Sequence, residues 1–116
     1  MLFRSPAQVQ AAADVGAQVV ELHTGLYCDL MREARDASEV LARLWRGAEA
    51  AERLGLEVHA GHGIDYGTVG PIAAIAQVAE LNIGHFLIGE AIFVGLGAAI
   101  GEMRRCIDAA RAELAA

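Results

Sequence analysis

Leu56-Glu57-Val58-His59-Ala60-Gly61-His62-Gly63 is the stretch that decides the fold. Its first five residues alternate apolar and polar side chains around a β-branched centre. That pattern predicts a strand over 56–60, and the glycines after it predict a loop at the strand's carboxyl end. Just upstream, Asp36-Ala37-Ser38-Glu39 reads as a capping box opening a helix that Gly55 closes. Val40, Leu41, Leu44, Trp45 and Ala48 make its apolar face, and Glu39/Arg43 and Glu49/Arg53 lie at i,i+4 on the other. A helix feeding so directly into a strand leaves no room for an antiparallel return.

The same unit recurs on either side. Upstream, Ser5-Pro6-Ala7-Gln8 is a second capping box, predicting a helix from Pro6 to about Val15 that stops at Gly16. A strand over 18–22 follows, ending in a loop at Thr24-Gly25. Downstream, a helix is expected from Thr68 to Ala79, then a brief strand Leu81-Asn82-Ile83-Gly84. From His85 the chain is expected to be helical in two pieces, the last with Leu96, Ile100, Met103 and Ile107 at near-heptad spacing. Alternation with short connections means α/β with a parallel sheet and helical crossovers. Two architectures fit: a small doubly wound sheet, or consecutive units of a (β/α)₈ barrel. Both build sites at the carboxyl ends of their strands.

Composition narrows the function. The 116 residues suffice for one domain, and 55% hydrophobic with 21% charged residues excludes a disordered chain. A formal charge of −6 leaves no basic stripe, so nucleic acid is not an expected partner. All nine cations are arginine, which excludes a Schiff-base or P-loop lysine supplied by this chain. Cys28 and Cys106 form no CxxC pair and read as reduced thiols of a cytosolic protein. The opening residues carry no secretory signal, and the greasy stretch 83–101 is broken by His85, Glu90 and glycines, so no membrane span is expected. A soluble, cytoplasmic protein is the expectation.

The four histidines, His23, His59, His62 and His85, all fall at or just beyond the expected strand ends. Glu21, two residues before His23, points to the same side of its strand, which would put a carboxylate and an imidazole in one pocket. A glutamate inside an apolar strand is costly to bury and survives mainly with a partner or a function. His62 stands between glycines that let a ligand approach the backbone. Gly84-His85 at a strand-to-helix junction, together with Gly63, offers amide groups to an anion, although glycines also serve plain tight turns. Strand-end histidines are commonly structural. No metal site is expected: His59 and His62 lack zincin spacing, and no HxH pair occurs. Trp45 reads as core, and Arg104/Asp108 as part of a solvated face.

Three motifs in order carry a family resemblance: Val20-Glu21-Leu22-His23-Thr24-Gly25, Ala60-Gly61-His62-Gly63-Ile64 with Tyr66, and Glu80-Leu81-Asn82-Ile83-Gly84-His85 with Ile88-Gly89. The chain resembles, nearly end to end, the C-terminal half of pyridoxine 5′-phosphate synthase. That family is a (β/α)₈ barrel enzyme of vitamin B6 biosynthesis that forms homo-oligomers. It condenses 3-amino-2-oxopropyl phosphate with 1-deoxy-D-xylulose 5-phosphate to give pyridoxine 5′-phosphate, phosphate and water, without a cofactor. The resemblance implies that His62 is the proton donor and that Glu21 is the carboxylate stabilising the transition state. It also implies that Gly63, Gly84 and His85 hold the aminoketone phosphate.

Residues 1–116 would then run from the end of the fifth strand, Met1-Leu2-Phe3, through the eighth helix. The family's chain is about twice as long, in line with the ~250 residues of a barrel. Its general base glutamate, a second catalytic histidine and most of the pentulose phosphate site belong to the first four units. The isolated chain is therefore expected to be inactive and to self-associate through its open edges. Position 59, histidine here, is usually asparagine in the family. The alternative is a non-catalytic half-barrel serving as a phosphate-binding or assembly module.

Overall fold

The computed structural model describes residues 2–3 and 5–115. Four parallel strands, β1 (Leu2–Phe3), β2 (Val19–His23), β3 (Glu57–Gly61) and β4 (Val78–Asn82), lie side by side in the order of the sequence. Between and after them come α1 (Pro6–Asp14), α2 (Gly25–Arg32), α3 (Ser38–Arg53), α4 (Val69–Ala73), α5 (His85–Val94) and α6 (Leu96–Ala115). Strand order separates the two architectures. A doubly wound sheet reverses order at a switch point, whereas a barrel adds each strand beside the last. The order 1-2-3-4 is an arc of a (β/α) barrel.

The two faces of the sheet are chemically distinct because successive side chains alternate. Val20 and Leu22 of β2 and Val58 and Ala60 of β3 point into a core shared with Val9 and Ala12 of α1 and Leu44, Ala48 and Ala51 of α3. The opposite face carries two registered rows: Glu21, His59 and Glu80, and nearer the strand ends His23, Gly61 and Asn82. One face is a dry wall against helices, and the other is polar.

Several local expectations hold, and several shift. Ser5 caps α1, its hydroxyl accepting the Gln8 amide proton at 3.4 Å. Leu2–Phe3 form the expected strand tail, while Met1 lies outside the described residues. At α3 the cap is one residue later than expected: Asp36 accepts the Ser38 amide at 2.9 Å, and Ala37 is the first helical acceptor. Glu39 reaches Arg46, two turns on, at 3.0 Å.

The helix expected over 68–79 ends at Ala73, and β4 starts at Val78, earlier than the expected 81–84. Ile75 and Val78 are buried there, and pairing with β3 overrides the helical preference of an alanine-rich stretch. The loop expected after His23 is instead the helix α2. The late stripe divides: Met103 is buried and Ile107 partly so, but Leu96 and Ile100 are about half exposed. Arg104 pairs with Asp108 in solvent as expected, whereas Arg111 donates to the carbonyls of Ala76 and Val78. No helix among the described residues is long and apolar enough to cross a membrane.

Candidate active site

The carboxyl ends of β2, β3 and β4 open onto one cavity of about 920 Å³. Glu21, His62, Gly63, Gly84 and His85 all line it, so five residues from three separate strand units meet there. Each arrives by a different local device. Glu21 stands on the polar face of β2, and its Oε1 accepts from Asn82 Nδ2 at 3.1 Å. Gly61, diagonal to it on β3, must lack a side chain, because a Cβ there would lie 2.3 Å from that Oε1 and 2.9 Å from the Asn82 carbonyl.

His62 is one of two described non-glycine residues with positive φ, at 90°. Such a backbone costs on the order of 1–3 kcal/mol and persists only where the surroundings over-determine it. Here the segment 24–32 grips three consecutive carbonyls. The Thr24 amide donates to Gly61 O at 2.8 Å, and the Thr24 hydroxyl lies 2.8 Å from Gly61 O and 2.7 Å from His62 O. Arg32 Nη1 then donates to Gly63 O at 2.7 Å. The His62 ring stacks on His23 with centroids 4.4 Å apart, over Gly25, where a Cβ would strike both rings. The Gly25 amide donates to His23 Nδ1 at 3.2 Å.

Gly84 and His85 begin α5, and no side chain caps that helix. Its first amides are among the groups a helix leaves without intrahelical partners, a natural anion seat. Arg32, the guanidinium on the cavity, is already committed: besides Gly63 it pairs with Asp29 at 2.7 Å and Asp65 at 3.3 Å, and those partners hold it charged above its ordinary range. An anion entering the cavity therefore meets backbone amides and imidazoles more readily than a free cation.

Not all four histidines reach the rim. His23 lies beside His62 on an adjoining cleft with Asp29 and Arg43. His59 is in the middle of β3, which runs one residue further than expected, to Gly61, and it does not line the cavity although it is level with Glu21. Its Nε2 lies 2.7 Å from Glu57 Oε2 and its Nδ1 2.8 Å from Glu80 Oε2, so it is engaged by carboxylates on the polar wall. Three further residues shape the site: Thr24, Arg32 and Asn82. Thr24 and Asn82 both stand inside motifs that carry the family resemblance, and the place of Asn82 on the polar face follows from alternation along β4. Arg32 had no sequence signal without α2. The Cys28 thiol, on α2, is buried, and burial pushes its pKa up.

The sequence matches, over residues 2–109, the family described as pyridoxal phosphate biosynthesis protein PdxJ. It is 71% identical over 113 residues to the pyridoxine 5′-phosphate synthase of Caulobacter sp. (strain K31), covering 96% of this chain and 45% of that protein. It is 65% identical over 111 residues to the protein of the same name from Caulobacter vibrioides (strain NA1000 / CB15N), covering 94% and 44%. A third, from Cereibacter sphaeroides (strain ATCC 17029 / ATH 2.4.9), is 65% identical over 106 residues, covering 90% and 42%. The chain spans less than half the length of these curated relatives.

Proposed function

The chain belongs to the PdxJ family of pyridoxal phosphate biosynthesis proteins, and on that premise we propose that it carries the aminoketone-phosphate side of a pyridoxine 5′-phosphate synthase site. It corresponds, in this reading, to the second half of an eight-stranded barrel. The reaction joins 3-amino-2-oxopropyl phosphate to 1-deoxy-D-xylulose 5-phosphate and releases pyridoxine 5′-phosphate, phosphate and water. The observation that carries the reading is the convergence of Glu21, His62, Gly63, Gly84 and His85 on one cavity.

Each residue has a role that its surroundings suit. Imine formation and ring closure expel water and phosphate, and each departure needs a proton, which an imidazole can give and recover near neutrality. His62, on a gripped loop at the cavity edge, is the donor. Glu21, held by Asn82, faces the positive charge that develops as the substrate amine condenses. The amides of Gly63, Gly84 and His85 take the aminoketone phosphate. The amine arrives on the substrate, so a chain without lysine is no obstacle. The second phosphate and the general base fall to the part of a complete barrel that this chain does not include. The chain alone is inactive, and the complete enzyme is a cytoplasmic homo-oligomer.

A chimaera tests this. The 113 matching residues of the Caulobacter sp. (strain K31) protein are replaced by this chain, and pyridoxine 5′-phosphate formation is measured. The chimaera is expected to turn over, and His62→Ala to lower kcat by about 10²–10⁴-fold, the usual worth of a positioned acid. A folded but inactive chimaera that still binds phosphate would favour a non-catalytic, phosphate-binding module. Full turnover by His62→Ala would remove His62 from the chemistry.

A further inference from the structure

We propose that Thr24 and His23 are positioning residues for His62, with the Thr24 hydroxyl holding its strained backbone and the His23 ring fixing its imidazole. The consequence for turnover rests on reading His62 as the proton donor, but the positioning itself does not.

The argument starts from a failed local rule. Thr24 precedes α2, where threonine ordinarily caps with its side chain, yet no side-chain cap bond forms. Its hydroxyl is spent across the chain, 37 and 38 residues away, on the carbonyls of Gly61 and His62. Thr24 is fully buried, so that hydroxyl has no water to turn to. Gly61 O also has the Thr24 amide, but His62 O has the hydroxyl as its described donor. One buried proton therefore stands behind a carbonyl whose residue sits at φ 90°. Once that backbone is set, the ring stacks on His23 at an interplanar angle of 27°, and His23 is itself oriented by the Gly25 amide on its Nδ1. Backbone and ring are fixed separately, from two adjacent residues of β2's end.

The test is made on the 116-residue chain by NMR, with Thr24→Val and Thr24→Ser. Valine keeps the shape and removes the donor, and serine keeps the donor. Thr24→Val is expected to lose the left-handed Cα and Cβ shift signature of His62 and the upfield displacement of its ring protons by the His23 ring. Thr24→Ser is expected to retain both. A folded Thr24→Val whose His62 signals match the parent would overturn the proposal, as would a folded Thr24→Ser that loses them. His23→Leu gives an independent arm should valine not fold: it is expected to abolish the ring-proton displacement while leaving the backbone signature, and an unchanged displacement would overturn the ring's role. In the active chimaera, Thr24→Val is expected to lower kcat with KM for the aminoketone phosphate held and the His62 limb of the pH profile moved. An inactive parent chimaera would count against the functional reading alone, because the His62 resonances are read without turnover.

Discussion

The loop 61–63 and the helix α5 flank the same cavity and are held in opposite ways. The loop is gripped by buried and partly buried hydrogen bonds from Thr24, an exposed one from Arg32 and the stacked ring of His23, and it keeps a histidine at positive φ. Helix α5 has no fully buried residue, and its Ile92 and Phe93 are 79% and 85% exposed. It is anchored mainly on α6 and by an edge-to-face contact of Phe86 with Tyr66 at 4.6 Å. The His62 side of the cavity is preorganised internally, whereas the Gly84–His85 side rides on a helix that leaves its apolar residues exposed. The β4 edge beside it carries Glu80 and Asn82 toward the polar face, where a barrel of the relatives' length would continue.

The most disruptive way to break the comparison is at Gly61. Gly61→Ala forces Glu21 and the Asn82 carbonyl to move and is expected to lower unfolding stability by about 1–3 kcal/mol, read by denaturant titration. Arg32→Met removes the donor to Gly63 O; because the side chain is 44% exposed, the expected loss is about 1 kcal/mol or less, with broadening of the loop amides. On α5 the same measurement should scarcely move. Ile92→Ser with Phe93→Ser is expected to stay within roughly 0.5 kcal/mol per site while reducing self-association in ultracentrifugation. A large stability loss there would mean α5 is as integrated as the loop.

The smallest effect lies away from both, at the start of α3. The Asp36 carboxyl is held below its usual range by the Ser38 amide, so its contribution is present above the unfolded carboxylate pKa and fades as pH falls through the lowered folded value. Asp36→Asn keeps the acceptor and is expected to flatten that small acid-side slope in thermal melts, without touching either flank of the cavity.

The sequence made the architecture and the cavity legible and left its supports hidden. Alternation and caps foretold α1, α3, β2 and β3; a carboxylate inside an apolar strand singled out Glu21, glycine flanks drew attention to His62, and the family resemblance, more than spacing, singled out Gly63, Gly84 and His85. Helix α2 stayed invisible because Thr24-Gly25 reads as a turn at the end of a strand, and sequence-local rules have no view of the bonds that tie Thr24 to Gly61 and His62. The bounds of β4 were misread because the four alanines within 73–79 favour a helix by themselves, and only pairing with β3 makes a strand from Val78 onward. His59 looked like a rim residue because the expected strand stopped at Ala60; the strand runs on to Gly61, and the His59 ring is taken up by Glu57 and Glu80, partners that sequence-local rules do not show.

The central claim is that amides from two strand ends form one phosphate seat. Titrating the isotopically labelled chain with inorganic phosphate tests it directly. Saturable shifts of the Gly63, Gly84 and His85 amides with one common dissociation constant are the predicted result. Shifts that fit different constants at Gly63 and Gly84, or that leave these three amides unmoved while others respond, would contradict it.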